Sequence, residues 1–250
     1  MKKARRRETF LRETGKERLR RIRYLCSGSG WGSCNSICSQ EEERRRMIQK
    51  FNVSRDDSIY EAWPDVVLTD GGKLICVFAE CEHHKNRDNA RIMITESLDR
   101  GRTWSTKKPL TEKGKAGDYF NCARISKLND GTLAIICDKI YGNENKEAEN
   151  WLWLGDSEGE NWSEPLRLPF CGIVPDKYRQ LRSGRLIVAA HFKNAETKKL
   201  EQYLWYSDDG GKTWSDRVTV AADEKYNLCE VSILEYEAGK LVAYLRENSA

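Results

Sequence analysis

The sequence predicts an all-β fold, a β-propeller of four-stranded antiparallel blades, on three observations. Short apolar strands recur behind a fixed turn signal from Asp57 onward, a second turn motif recurs between them, and these segments lack the 3.6-residue periodicity of helices. The strand signal is a turn followed by Gly-x-Leu. It occurs at Gly72-Lys73-Leu74, Gly131-Thr132-Leu133, Gly184-Arg185-Leu186 and Gly239-Lys240-Leu241, each opening an apolar run. Successive glycines lie 59, 53 and 55 residues apart, a spacing suited to one blade per repeat. Three full blades are expected over about 57–109, 118–168 and 171–220, followed by the first two strands of a fourth.

The second motif is Ser97-Leu98-Asp99-Arg100-Gly101-Arg102-Thr103-Trp104, repeated as Ser207-Asp208-Asp209-Gly210-Gly211-Lys212-Thr213-Trp214. Both match the Asp-box pattern S-x-D-x-G-x-T-W. The carboxylates of Asp99 and Asp209 are expected to accept backbone N–H bonds across a tight turn. Gly101 and Gly211 can take positive φ there. Trp104 and Trp214 are expected to be largely buried anchors. A weaker copy from Gly155 keeps Gly159 and Trp162 but has Ser157 where the aspartate belongs. These turns lack the further carboxylates of a calcium loop, so a metal is not expected in them.

Charge divides the chain. Residues 1–50 carry fifteen Lys and Arg against six Glu, a net +9, so the remaining 200 residues carry −5 of the total +4. The body therefore has no electrostatic footprint for nucleic acid. The Arg-rich start has no apolar run for a signal peptide or membrane anchor. It reads as a basic, disordered or spurious leader, with residues 5–23 offering at most a short polar helix. Cys26, Cys34 and Cys38 lack a fourth ligand for zinc. Cys76 and Cys137 lie within apolar strands, which suits a reduced, cytoplasmic protein.

Residues 57–250 resemble the sialidase (neuraminidase) superfamily of six-bladed propellers. The resemblance rests on the Asp-boxes and on Tyr60-Glu61-Ala62-Trp63-Pro64, followed by Gly72-Lys73-Leu74 and Phe78-Ala79-Glu80. In that family an Arg-Ile-Pro motif stands at the first stretch, and its arginine helps clamp the substrate carboxylate. Here Pro64 matches, but Ala62 stands in the arginine's place and cannot form a bidentate pair. Arg91 and Arg124 are the candidates to compensate. The resemblance makes Asp88, on the loop before Arg91-Ile92-Met93-Ile94, the candidate general acid/base. It makes Glu230 the candidate partner of a tyrosine nucleophile, and Arg246, sixteen residues on, a second clamp arginine. Glu230 and Arg246 are expected to face each other as a charge pair, the alternative being an ordinary buried ion pair. His83 and His84 read as solvated loop residues.

The implied activity is exo-hydrolysis of a terminal glycan sugar, without cofactor, metal, nucleic acid or membrane. The alternative is a non-catalytic propeller that binds glycan or protein, because Asp-boxes stabilise turns and prove no chemistry. The family's tyrosine and third arginine belong to blades five and six. About three and a half of six blades fall within residues 57–250, so the chain reads as incomplete and inactive in isolation.

Overall fold

Ile75–Ala79 has no polar residue, so the run must be covered on both faces. The computed structural model describes residues 49–114, 117–142 and 148–249. There this run lies in β2 (Leu74–Cys81), buried at seven of eight positions. The equivalent strands of the next two repeats, β6 (Leu133–Ile140) and β10 (Leu186–Lys193), are each buried at six of eight. The readings made of residues 1–48, including the polar helix and the three cysteines, lie outside the described residues.

Each run is flanked by hairpin partners. The first sheet has the order β1 (Tyr60–Leu68), β2, β3 (Arg91–Ser97), β4 (Lys108–Pro109). The second is β5 (Tyr119–Lys127), β6, β7 (Glu149–Gly155), β8 (Leu166–Cys171). The third is β9 (Arg179–Gln180), β10, β11 (Leu200–Ser207), β12 (Val218–Ala221). A two-stranded sheet of β13 (Leu228–Glu237) and β14 (Lys240–Glu247) follows. All pairings are antiparallel between sequential strands, the meander of a propeller blade. The described residues contain no α-helix, and no helix among them is long and apolar enough to cross a membrane.

Apolar layers join the sheets. Ile75, Val77 and Ile92 of the first pack on Ile125, Leu133 and Ile135 of the second. Ile136, Leu152 and Phe170 meet Tyr178, Val188 and Trp205 of the third, with Phe170 stacked on Trp205 at 4.6 Å. Ile187 and Ala189 then pack on Val231 and Ile233. Polar groups reinforce the layers. Asp65 accepts the Ile125 N–H at 2.9 Å, and Asp176 accepts that of Ile233 at 2.9 Å. Lys177 of the third blade donates to Ile125 O (2.9 Å) and to Asp65 of the first (3.0 Å), drawing three blades together.

One end of the strands carries the Asp–Trp turns. Asp99 accepts the Thr103 N–H and hydroxyl at 2.8 and 2.7 Å, and Asp209 repeats this on Thr213 at 2.9 and 2.6 Å. Gly101 and Gly211 adopt φ of 83° and 87°. Two expectations are corrected. Trp104 and Trp214 are half-buried, because each indole N–H must reach a turn carbonyl at the surface: Gly101 O at 3.1 Å and Gly211 O at 3.2 Å. The third turn does have its aspartate, at Asp156, one position before Ser157. Asp156 accepts the Asn161 N–H and amide at 3.0 and 2.8 Å, and the Glu160 N–H at 3.0 Å. The residue after each tryptophan forms a further repeat missed in the sequence. The Ser105, Ser163 and Ser215 hydroxyls accept the N–H groups of Glu96, Leu154 and Tyr206 at 3.0–3.1 Å.

Candidate functional site

The opposite end of the strands is built on a repeated irregularity. In β1, β5 and β13 the register shifts by a bulge, after Ala62, Asn121 and Cys229. The residue that follows takes a left-handed backbone: Trp63 (φ 53°), Cys122 (42°) and Glu230 (52°), with Val174 (49°) at the matching place before β9. None is glycine or asparagine, so each conformation costs about 1–3 kcal/mol and persists only because its surroundings impose it. Such strain at one level of four successive blades marks this end as the candidate site.

Behind each bulge lies the seventh residue after the turn glycine: Ala79, Asp138, His191 and Arg246. Register aligns them in rows. Ala62, Ala79 and Ile92 form an apolar row in the first blade. Asn121, Asp138 and Asn150 form a polar one in the second, and Ile173, His191 and Gln202 a mixed one in the third. Asp138 is fully buried, and burial pushes its carboxyl up to about 6, against the opposing pull of Asn121 and the Val174 N–H. Asn121 Nδ2 donates to its Oδ2 at 3.3 Å, while Oδ1 has no hydrogen-bond partner among the described residues. Burial lowers His191 to about 4, so its ring is neutral at physiological pH, and the Glu230 N–H is directed at Nδ1 from 3.5 Å.

The candidates named from sequence fall into three groups. Glu230 and Arg246 form a pair at 2.8 Å, from a bulge residue and its cross-strand neighbourhood. Their side chains are 42% and 56% exposed, which corrects the alternative of a buried ion pair. Asp88 is exposed on the loop between β2 and β3, its N–H donating to Asn86 Oδ1 at 3.3 Å. Arg124 follows the second bulge, half-buried, with Nη1 donating to Ala123 O at 3.3 Å.

Arg91 is engaged elsewhere. It binds Glu80 at 2.6–2.7 Å on the face of the first blade turned away from the second. Lys107 joins the same cluster, 2.9 Å from Glu80 and 2.6 Å from Glu61. Burial works against the charged form of Glu80, but Lys107 and Arg91 outweigh it and hold the carboxyl below its usual range. Arg91 is therefore a partner of Glu80 and is not brought to the bulge row.

The structure adds residues that were not singled out from sequence. Arg87 lies 4.8 Å over the Trp63 ring and donates to Asn121 Oδ1 at 3.4 Å. Cys122 is buried between blades, and its thiol is pushed up to about 12, first by burial and then by Asp138. Arg124, Arg87 and Glu230 also act on that thiol electrostatically, so it marks where the charged groups of three blades converge. One signal was available: Trp63-Pro64-Asp65 and Val174-Pro175-Asp176 recur at nearly the same distance from their turn glycines, and both encode a left-handed residue followed by an inter-blade carboxylate. Among the described residues no group of three or more His, Cys, Asp and Glu side chains is placed to hold a metal.

Residues 121–250 match the BNR repeat-like domain, 130 of the 250 residues. The chain belongs to the BNR repeat-like domain family. This BNR repeat-like chain also shares its fold with solved propellers. A protein of unknown function from Dyadobacter fermentans is similar at 21% identity and a TM-score of 0.66, over 81% of this chain and 66% of that one. The Hadza microbial sialidase Hz136 is similar at 19% identity and 0.58, over 75% and 42%. The NanB sialidase from Streptococcus pneumoniae is similar at 13% identity and 0.60, over 80% and 50%. The chain thus spans between 42% and 66% of the length of these structures. At such identities the likeness is one of fold: the BNR chain has the sialidase type of β-propeller.

Proposed function

We propose that the bulge end of this BNR repeat-like propeller is a glycan site of sialidase-like glycoside-hydrolase type, acting on a terminal sugar. The observation that carries the reading is the Glu230–Arg246 pair, 2.8 Å apart, held on a strained bulge. A guanidinium at that distance orients the carboxylate, as a group that polarises a nucleophile or contacts substrate requires. Asp88 is the proton donor of the proposal, and Arg246 and Arg124 its substrate-binding cations. Residues 51–250 act as the propeller and residues 1–50 as a separate basic leader. Buried reduced thiols such as Cys76 and Cys137 support a cytoplasmic setting.

The second reading is a glycan-binding propeller without catalysis. It is favoured by Ala62 in the first clamp position and by the commitment of Arg91 to Glu80. Fluorogenic terminal glycosides distinguish the two. Turnover that Glu230→Gln abolishes selects the hydrolase. Binding of intact glycoside, weakened in Arg246→Gln and released unchanged, selects the binding module. A chain that neither binds nor cleaves any terminal glycoside refutes both.

A further inference from the structure

A residue that a bulge sets outside the strand ladder has no ladder partner for its backbone N–H, and a left-handed one keeps its conformation only where something else holds it. Two left-handed residues of the bulge row are held from the preceding blade, at the same place. The Val174 N–H is turned to the carboxyl of Asp138, and the Glu230 N–H is directed at Nδ1 of His191 from 3.5 Å. Both acceptors stand seventh after their turn glycine, and both are buried. Ala79, at that place in the first blade, has no acceptor to offer. In these two blades a buried side chain thus fixes the strained residue of the blade that follows, and in the second case that residue is Glu230.

Gln202 completes the arrangement. It lies across the strand from His191, fully buried, and its Oε1 has no hydrogen-bond partner among the described residues. Its Nε2 donates to Leu228 O at 3.5 Å, two residues before Glu230, so the same amide also grips the incoming chain. Burial keeps the His191 ring neutral, against the opposing pull of Glu230, and Ile173 on its other side is apolar. A neutral imidazole carries one proton. On Nε2, that proton leaves Nδ1 free to accept from Glu230 and puts a donor in the row where Gln202 Oε1 lacks one. On Nδ1, it would set two N–H groups against each other and leave both acceptors unused.

We propose that His191, as the tautomer protonated on Nε2, is a positioning residue: its Nδ1 holds the backbone of Glu230 so that the carboxylate meets Arg246 in one orientation. The inference rests on the glycan reading above for the role of Glu230 and adds to it the residue that sets its geometry. Nitrogen NMR of the 250-residue wild type reads the tautomer. A proton on Nε2 is expected, and a proton on Nδ1 overturns the inference whatever the variants do. Amide hydrogen exchange reads the hold. His191→Leu should speed exchange of the Glu230 N–H about tenfold. The Ile233 N–H, held by Asp176 at 2.9 Å in the same strand, should be unaffected. Faster exchange at both amides marks a general structural role and overturns the inference, as does no change at either. His191→Asn places an amide oxygen near the position of Nδ1 and should restore slow exchange at Glu230. Thermal melts check that both variants keep the fold. The terminal glycosides named above are then titrated by calorimetry. Affinity should fall about tenfold in His191→Leu, the scale of one lost hydrogen bond, and recover in His191→Asn. Unchanged affinity in His191→Leu, with faster exchange at Glu230, overturns the positioning role and leaves the glycan reading standing. A wild type that binds none of the glycosides refutes the glycan reading and the functional role with it, while the tautomer and the exchange rates still decide whether His191 holds Glu230.

Discussion

The two ends of the same strands are built on opposite rules. At the turn end, three blades repeat a sequence: an aspartate that accepts across the turn, a glycine with positive φ, and a tryptophan that donates to the carbonyl of that glycine. At the bulge end, four blades repeat a conformation with no common residue, since Trp63, Cys122, Val174 and Glu230 share only their left-handed backbone. The turn end satisfies its polar groups, and its positive-φ positions among the described residues are glycines except for Arg100 (φ 63°). The bulge end retains strain, buried orphan acceptors such as Asp138 Oδ1 and Gln202 Oε1, and a half-exposed ion pair. A repeated scaffold thus specifies stability at one end and frees the other to vary its chemistry blade by blade.

The largest effect expected is at the turn end. Trp214 packs edge-on against Phe170 at 5.0 Å and Tyr178 at 5.9 Å, in the layer between the second and third blades. Trp214→Ala should cost about 3 kcal/mol in urea unfolding, the low end for a large aromatic because the side chain is half-buried. Trp104 packs on a smaller cluster of Cys76, Phe78 and Met93, so Trp104→Ala should cost less. Equal losses at the two positions would show that the turn, and not the inter-blade layer, carries the energy.

At the bulge end the sign should reverse. Asp138 has a folded pKa of about 6 against an ordinary 3.8. The folded state therefore holds its proton longer than the unfolded chain, and this group's contribution to stability falls as pH rises from about 4 through about 6. Asp138→Asn removes the ionisation and should raise stability at pH 8 by up to about 3 kcal/mol, with little gain at pH 4. Urea midpoints at the two pH values test this. A variant less stable than wild type at pH 8 would mean that the ionised carboxylate is well satisfied.

A smaller test addresses the strain directly. Glu230→Gly relieves the positive φ of 52° and should leave stability unchanged or raised by about 1 kcal/mol, while removing the partner of Arg246. A clear loss of stability would make the bulge a structural element and not a functional one. His191→Leu, which removes the Nδ1 facing the Glu230 N–H, should cost glycan affinity before it costs stability.

The fold was legible because repeated blades need the same solution at the same place. The Gly-x-Leu runs at Leu74, Leu133, Leu186 and Leu241 became β2, β6, β10 and β14, since an apolar run with turn residues before it has few alternatives. The site was only partly legible. Glu230 and Arg246 were named through the sialidase resemblance, and what the structure adds is their pairing, since strand register brings them together across the hairpin. Arg87 and Asn121 could not be named, because their contact joins a loop of the first blade to a strand of the second, 34 residues apart. Arg91 was misplaced for a related reason. Alternation along β3 puts it on the face opposite Ile92, and only the three-dimensional arrangement shows that this face presents Glu80 and Lys107.

The smallest expected effect gives the sharpest test of the turn rule. In the third turn Trp162 lies against Gly155, where a Cβ would come within 2.9 Å of the ring. Glycine therefore replaces the serine that opens the other two turns, and with it goes the hydroxyl that holds Asp99 through Ser97 at 2.9 Å. The carboxylate moves one residue earlier, to Asp156, and recovers the bond to the tryptophan-preceding residue, Asn161, from there. Asp99, Asp156 and Asp209 are all held down to about 2 by the donors they accept from: chiefly the Thr103 N–H, the Asn161 amide and the Thr213 hydroxyl. Folded pKa values below the ordinary 3.8 mean stability that is fully present above that pH and is lost as pH falls through about 2. Asp156→Ala should lower the melting temperature at pH 7 and flatten the acid limb of the stability profile. Ser157→Ala, at the position the motif assigns to the aspartate, should change neither. If Ser157→Ala proves the more damaging of the two, the displaced carboxylate does not organise the turn, and the shared rule at this end would hold for two blades and not three.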